Sequence, residues 1–564
     1  MCPAMPLQHI TILEQAATSM AAQDFVRAEQ LVRQVLDDAP RDLQAWYLLG
    51  TVRAHLEDHA AALAAFDTVL RHHRQSPEVW AQHADVLVRL RRFADAVASY
   101  DAALALNPAQ SDWWHLKGSA LVSLGRFEAA LECFGRALAL DADRVQTISA
   151  RGVALEGLGR SREAAACYRR ALELSPQYAT AHSNLGRLQR EFGELAEAVD
   201  TLRTAVALQP DFAMAHHNLG SALYDLGELD AGIASYRRAL ELAPEFAECE
   251  YSLAVALLKA GKFSAGWRAF EARLRFTRHA VLNPPRGMDP WRGEALGGRT
   301  LVVIAEAGAG DIIQFARYGA LLNSRGIRPR LQIDDRMAAL ISTSGFFDGS
   351  CNPEDELAPD GHTWCSLMSL PLRLGDAAPA IPAFAPYLKA DERLVARWRE
   401  RLGRIGGMRI GFVWQGNPAA EIGSLRGRSM PLQALEPIAA LPGVSLISLQ
   451  KGAGLDQLHS ASFKERIQDL GGGLDLGKDA FVDTAAVLMN LDLVISTDSS
   501  LAHLAGALGV PVWVALHAAS DWRWFRSGDS SPWYPTMRLF RQVRPGDWAP
   551  VVDSMRGGVE TMLR

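Results

Sequence analysis

The chain predicts a helical solenoid followed by a pair of parallel α/β units, and three observations carry that expectation. Small residues repeat every 34 positions through the first half; the repeat stops near residue 280; and from residue 300 short β-branched runs alternate with amphipathic stretches.

The repeat consists of two series. Ala16, Gly50, Ala84, Gly118, Gly152, Gly186, Gly220 and Ala254 form one; Ala28, Ala62, Ala96, Ala130, Ala164, Ala198, Gly232 and Gly266 form the other. Most members of the second are followed four residues later by a large side chain: Phe66, Tyr100, Phe134, Tyr168, Tyr236 and Phe270. Helices packed at close distance leave no room for side chains where their backbones approach, and an aromatic ring fills the groove beside that contact. Eight helical hairpins follow. Pro40, Pro108, Pro176, Pro210 and Pro244 fall at repeat ends, where a residue that cannot continue a helix separates one hairpin from the next; Arg74 and Ala142 break that register. Gly125, Gly159, Gly193, Gly227 and Gly261 mark the turn inside five hairpins, so the early repeats read as looser. This is the tetratricopeptide pattern, expected over 7–279 and expected to stack into a superhelix with a concave groove.

At 564 residues the chain exceeds one core, and three folded units are expected: the repeats, a unit over 280–390 and a unit over 391–564. A net charge of −6, from 58 basic and 64 acidic residues, argues against nucleic acid as a partner. The N-terminus lacks the charged leader and apolar core of a secretory signal, and the apolar stretch around 485–516 is interrupted by Asp492, Asp498 and His503. A cytoplasmic protein without integral membrane contact is therefore expected. Six scattered cysteines, with Cys133 and Cys167 one repeat apart, read as buried free thiols.

In the second half, Thr300–Ile304 reads as a buried strand, followed by the glycine-rich turn Glu306–Asp311 and an amphipathic helix from Ile312 to Ser324. Arg330–Ile333 is a second strand, and the Pro-rich passage Pro379–Pro386 ends the unit. The next unit opens with Arg409–Trp414 running into the turn cluster Gln415–Pro418. Val444–Leu449, Leu491–Ile495 and Val510–Leu516 are further strands, with a small-residue helix Leu501–Leu508 after Thr497–Ser500. Such alternation predicts parallel sheets of Rossmann type, in which ligands bind beyond the carboxyl ends of the strands. The clusters 306–311, 414–418 and 497–503 are thus expected to meet in one cleft.

Each cluster has two readings. Gly308 and Gly310 would admit a ligand close to the backbone, and Asp311 could accept a proton or orient a sugar hydroxyl; equally, Asp311 could cap its helix, worth about 1 kcal/mol. Asp498, Ser499 and Ser500 stand where helix N–H groups and hydroxyls could hold a diphosphate, or could serve as caps. His503 lies at i+4 from Ser499 and could donate to a phosphate or a leaving group; a lone helical histidine can also be structural. Lys451, Arg426 and Arg428 could neutralise a leaving nucleoside diphosphate or be solvated charges. The pairs Asp334/Asp335 and Asp141/Asp143 have no companion ligands, so no metal site is expected.

Several phrases together resemble bacterial proteins that join tetratricopeptide repeats to a heptosyltransferase-like glycosyltransferase region with the two-Rossmann fold called GT-B. They are Gly266–Arg273, Pro290–Glu294, Gly310–Tyr318, Gly411–Asn417, Ser448–Lys451, Asp483-Thr484, Asp498–His503, Asp521–Trp524 and Ser531–Tyr534. The resemblance implies metal-independent sugar transfer from a nucleotide-sugar co-substrate, with no other cofactor. It makes Asp311 the general base, and Gly308, Gly310 and Gln314 part of an acceptor-side loop. The donor site would comprise Asp498, Ser499, Ser500, His503, Trp414, Gly416, Asn417, Arg428, Gln450 and Lys451. Ala307 and Ala309 replace the glutamine and bulky apolar residue usual in relatives, and Ser499 stands where a threonine is more usual.

The repeats are also similar to those of the O-linked N-acetylglucosamine transferases. Asn184 and Asn218 occupy identical places in successive repeats, on the helix that lines the groove, where amides could grip an extended peptide or act as polar filler. The leading expectation is a glycosyltransferase whose repeats select a protein or glycan acceptor; the alternative is a non-catalytic scaffold that kept the transferase shape.

Overall fold

The structure is a computed structural model that describes residues 7–275, 287–353, 355, 357, 359–375, 381–382, 384–421 and 427–564. The chain forms two compact units, Met1–Pro210 and Asp211–Arg564. Among the described residues the repeat region consists of sixteen helices, from Leu7–Ala21 to Phe263–Phe270, paired as eight hairpins. Six hairpins lie in the first unit, and the last two belong with the α/β region in the second.

The two small-residue series act on each other within a hairpin. A Cβ on Gly50 would lie 2.6 Å from the Phe66 ring, one on Gly118 2.6 Å from Phe134, and one on Gly152 2.6 Å from Tyr168. The ring therefore sits over the glycine of the facing helix, filling the space that a side chain would need. The turn glycines all take left-handed backbone, with φ between 71° and 89°. Gln23, Glu57 and Arg91 adopt the same conformation at the equivalent positions of the first three repeats (φ 61°, 62° and 57°). The early hairpins are thus built like the later ones, with non-glycine residues accepting the conformational cost.

In the second unit, β1 (Thr300–Ile304), β2 (Arg330–Gln332), β3 (Ser350–Cys351) and β4 (His362–Ser366) form a parallel sheet of order β3-β2-β1-β4. β5 (Met408–Val413), β6 (Val444–Ser448), β7 (Ile467–Asp469), β8 (Leu493–Thr497), β9 (Val512–Leu516) and β10 (Met537–Arg541) form the other, ordered β7-β6-β5-β8-β9-β10 and parallel throughout. Read from its first strand this is the doubly wound 3-2-1-4-5-6 order, with its reversal between β5 and β8. The architecture is therefore a tetratricopeptide solenoid followed by α/β units of GT-B type. The expected helix 312–324 is two helices, Ala309–Ala316 and Tyr318–Ser324. β3, β4, β7 and β10 went unread because His362-Thr-Trp-Cys-Ser366 and its counterparts lack a β-branched run.

One core continues from the last repeat into both sheets: Leu258, Trp267 and Phe270 pack with Phe315, Trp522 and Trp533. The other face of the larger sheet is covered by Ala549–Leu563, with Val552 and Met555 against Phe412 and Trp513. The expected boundary at 279/280 lies outside the described residues, while Asp391 at the second boundary caps the helix Glu392–Leu402. Among the described residues five cysteines are free, four of them buried, and no helix is long and apolar enough to cross a membrane.

Gly152→Ala is expected to destabilise the chain by about 1–3 kcal/mol through overpacking against Tyr168. Gly135→Ala, at an exposed helical position with nothing within 4 Å of the new Cβ, should stabilise by about 0.5–1 kcal/mol. Urea unfolding of the two variants beside wild type checks both signs.

Candidate active site

The loops after β1, β5 and β8 surround one cavity of about 760 Å³. Gly308–Asp311 supply one wall, Gln415–Pro418 with Arg428, Gln450 and Lys451 a second, and Asp498–Leu501 with His503 a third. The β5 and β8 loops flank the point where the strand order reverses, the position at which open parallel sheets bind ligands.

Two helix N-termini open onto this space. Gly308, at the N-cap of Ala309–Ala316, has no side chain to cap with, and Ser499, at the N-cap of Ser500–Leu508, makes no capping bond. Its Oγ pairs instead with Ser496 Oγ at 2.9 Å. The helices meet at Gly310, where a Cβ would stand 3.0 Å from His503 Cδ2 and 3.4 Å from Ser500 Cα. Two helix N-termini and their dipoles thus converge on one place, an arrangement suited to an anion.

Each carboxylate oxygen of Asp311 is held by one neighbour. Gly308 N–H donates to its Oδ2 at 3.0 Å, and Arg523 pairs with its Oδ1. Arg523 also donates to Gln314 Oε1 and to Asp521 Oδ1, each at 2.7 Å, and its guanidinium lies 4.4 Å from the centre of the Trp522 ring. Capping and siting at the cavity therefore coexist in Asp311. Asp498 is buried; desolvation, reinforced by the Asp521 carboxylate, pushes its pKa up to about 6 against the pull of Arg523 and Arg428. His503 is buried with its ring stacked on Trp524 and its Nδ1 2.9 Å from the Tyr534 hydroxyl. Burial and then the charges of Arg523 and Arg317 hold its pKa well below the ordinary value, so the imidazole is neutral and offers hydrogen bonds rather than charge.

Several expected residues need correction. Trp414 is fully buried and stacked on Phe412 in the core beneath the sheet, off the cavity wall. Gln314 is also fully buried and braces Arg523 from behind. Gln450 reaches the wall but spends its amide on the 415–417 turn, accepting from Gln415 N–H at 3.1 Å and donating to Gln415 O at 2.9 Å. Gly416 lets the Arg428 guanidinium lie flat against the turn that carries Asn417; Arg428 Nη2 donates to Asn417 O at 3.4 Å. Lys451 Nζ donates to Leu474 O at 2.7 Å. Of the expected groove residues, Asn218 is buried and Asn184 is half-buried. Arg426 lies outside the described residues. Sequence reasoning missed Arg523 and Asp521 as site residues, along with Gln415, Phe481 and Thr484. Arg523 is 212 positions from Asp311, and no local spacing links the two. Among the described residues no group of three or more His, Cys, Asp or Glu is placed to hold a metal ion.

Comparison with known proteins follows this division. Family models described as tetratricopeptide repeats match 19–86, 82–145, 149–213 and 220–261. The model described as glycosyltransferase family 9 (heptosyltransferase) matches 459–545, which includes Asp498–His503, Asp521 and Arg523 but not the Asp311 loop. Protein FlbA of Caulobacter vibrioides is 28% identical over 329 residues, covering 53% of this chain and 52% of that protein. The chain thus spans about half the length of this curated relative. Among solved structures, a tetratricopeptide repeat protein from Parabacteroides merdae aligns with a TM-score of 0.40 and 15% identity over 44% of this chain and 98% of that one. MamA aligns with a TM-score of 0.30 and 19% identity over 31% and 96% of the two chains. Tetratricopeptide-repeat models thus match through the N-terminal half of the chain, and the glycosyltransferase family 9 (heptosyltransferase) model matches near its C-terminus.

Because the folded-state pKa of Asp498 is raised, its contribution to stability is fully present below the unfolded value near 4 and is lost as pH rises through about 6. Asp498→Asn is therefore expected to be more stable than wild type by about 3 kcal/mol at pH 8, with the difference vanishing below pH 4. Melting curves across that range read it directly.

Proposed function

We infer that the second unit is a glycosyltransferase that moves a sugar from a nucleotide-sugar donor to an acceptor hydroxyl, and that the repeats select a protein or glycan acceptor. The observation that carries this reading is the convergence of two helix N-termini with Arg428, Lys451 and Arg523 on one cavity at the strand-order reversal. The region of glycosyltransferase family 9 type supports it.

The donor diphosphate would lie against the N–H groups of Ser499 and Ser500, with Arg428 and Lys451 balancing the charge that builds as the glycosidic bond breaks. Asp311 would accept the proton of the attacking hydroxyl. Its Oδ1 and Oδ2 each keep a lone pair beyond the bonds to Arg523 and Gly308, and those two bonds fix its orientation. His503, neutral, would hydrogen-bond the departing phosphate. The protein's own cations suffice for this chemistry, so transfer is proposed to be metal-independent and is to be tested in EDTA. The proposed setting is the cytoplasm.

A second reading, a scaffold without turnover, draws on the occupied Asp311 carboxylate and on Ala307, which takes left-handed backbone (φ 65°) in the same loop.

Thermal shift against UDP, GDP, ADP and dTDP and their sugar conjugates, in EDTA, is the test of the donor site. Ligand that binds the folded state at 100 times its Kd stabilises by about 2.7 kcal/mol. One nucleotide base is expected to raise Tm selectively, and the shift should disappear in Ser499→Ala/His503→Ala. No shift with any nucleotide contradicts the donor-site reading.

A further inference from the structure

The loop that carries Arg523 is held from outside the α/β region. Ser520 to Arg526 follows β9 and contains the short 3-10 turn Trp522–Trp524, with Asp521 at its N-cap accepting from Arg523 N–H at 3.0 Å. Residues of the last two repeats grip it. Lys259, the final residue of the helix Ala247–Lys259, is buried and donates from Nζ to Ser520 O at 2.6 Å. Trp267 packs edge-on against Trp522 at 5.4 Å between ring centres, and Phe263 meets Phe525 at 5.9 Å. At the surface Asp230 pairs with Arg526 at 3.4 Å.

A buried ammonium is costly even where, as here, a carbonyl, the face of Tyr224 at 4.5 Å from its ring centre and the charges of Asp521 and Asp225 favour it. Phe525 is also strained: its φ of 59° lies in the left-handed region, which a bulky residue rarely adopts. Neither feature is needed to join two packed elements. Both pin the backbone on either side of Arg523, whose guanidinium in turn fixes Asp311.

We propose that the two hairpins spanning 211–270 are a working part of the transfer site, with Lys259 as a positioning residue. It fixes the 520–526 loop and, through that loop, sets Arg523 against Asp311. This inference rests on the transferase reading for its chemical consequence and on the contacts alone for its mechanical one. The repeats then not only present an acceptor; their last turn completes the geometry in which the acceptor is deprotonated.

The test uses the full-length chain and the variant Lys259→Met, with Phe263→Leu as a second probe of the same loop should Lys259→Met fail to fold. Hydrogen exchange at 520–526 and at 308–311 is expected to accelerate about tenfold or more while the strands β8 and β9 stay protected. In parallel, hydrolysis of UDP-, GDP-, ADP- and dTDP-sugars is expected to lose about tenfold or more in kcat with donor KM within about twofold, the mark of a lost positioning interaction rather than lost binding. Unchanged exchange at 520–526 in a folded variant overturns the proposal, as does acceleration spread evenly over the second unit. If wild type releases no nucleotide from these donors even with acceptor peptides and glycans supplied, the transferase reading fails, and the exchange result alone still decides whether the repeats set the loop.

Discussion

The crossing of two helices at Gly310 is the constraint on which the site depends. Ala309–Ala316 follows the first strand of one sheet and Ser500–Leu508 the fourth strand of the other, and their N-terminal turns approach closely at position 310, where a Cβ would press on His503. That approach brings Asp311, Ser499, Ser500 and His503 to a single cavity. Arg317 secures the same junction about two turns later: fully buried, it donates to Trp533 O at 2.6 Å and Pro382 O at 3.2 Å and lies against the rings of Tyr387, Trp533 and Tyr534. A buried guanidinium is tolerated there because its donors and its faces are occupied.

The cavity carries charges of both signs, and their balance follows from burial. Arg523 pairs with Asp311 and Asp521 at once, whereas Asp498, buried beside Asp521, carries a raised pKa. The same surroundings keep His503 neutral. Fixed positive charge at the site therefore comes from arginine, lysine and helix dipoles, and the histidine contributes direction rather than charge. A buried pair, Arg273 with Glu306 at 2.7 Å, ties the end of the repeats to the loop that follows β1. The repeat exit is thus anchored on both sides of the cavity, through Glu306 on one and Ser520 on the other.

Much of the fold was legible because its signals are local. The 34-residue spacing, the turn glycines and the β-branched runs each report backbone geometry within a few residues, and hairpins, strands and loops follow from them. The site was legible only as loops: Gly308–Asp311, Gln415–Asn417 and Asp498–His503 sit where strand ends predict. What escaped was direction and pairing. Trp414 continues β5 in register, and the alternation of a strand sends its ring into the core on Phe412 rather than to the ligand side. Arg523 lies in a loop without repeat, strand or glycine signal, and its partner is more than two hundred residues away. Asn218 shares a sequence position with Asn184 yet is more buried, since burial depends on neighbours that the spacing does not specify.

The account rests on turnover at this cavity. The most direct measurement is release of nucleotide diphosphate from nucleotide-sugar donors, followed by mass spectrometry in EDTA with acceptor peptides and glycans supplied, for wild type and Asp311→Asn. The account predicts donor-dependent release by wild type, reduced about a hundredfold or more in Asp311→Asn, with nucleotide affinity retained. Binding of nucleotide with no release by wild type, or equal release by both proteins, would contradict it.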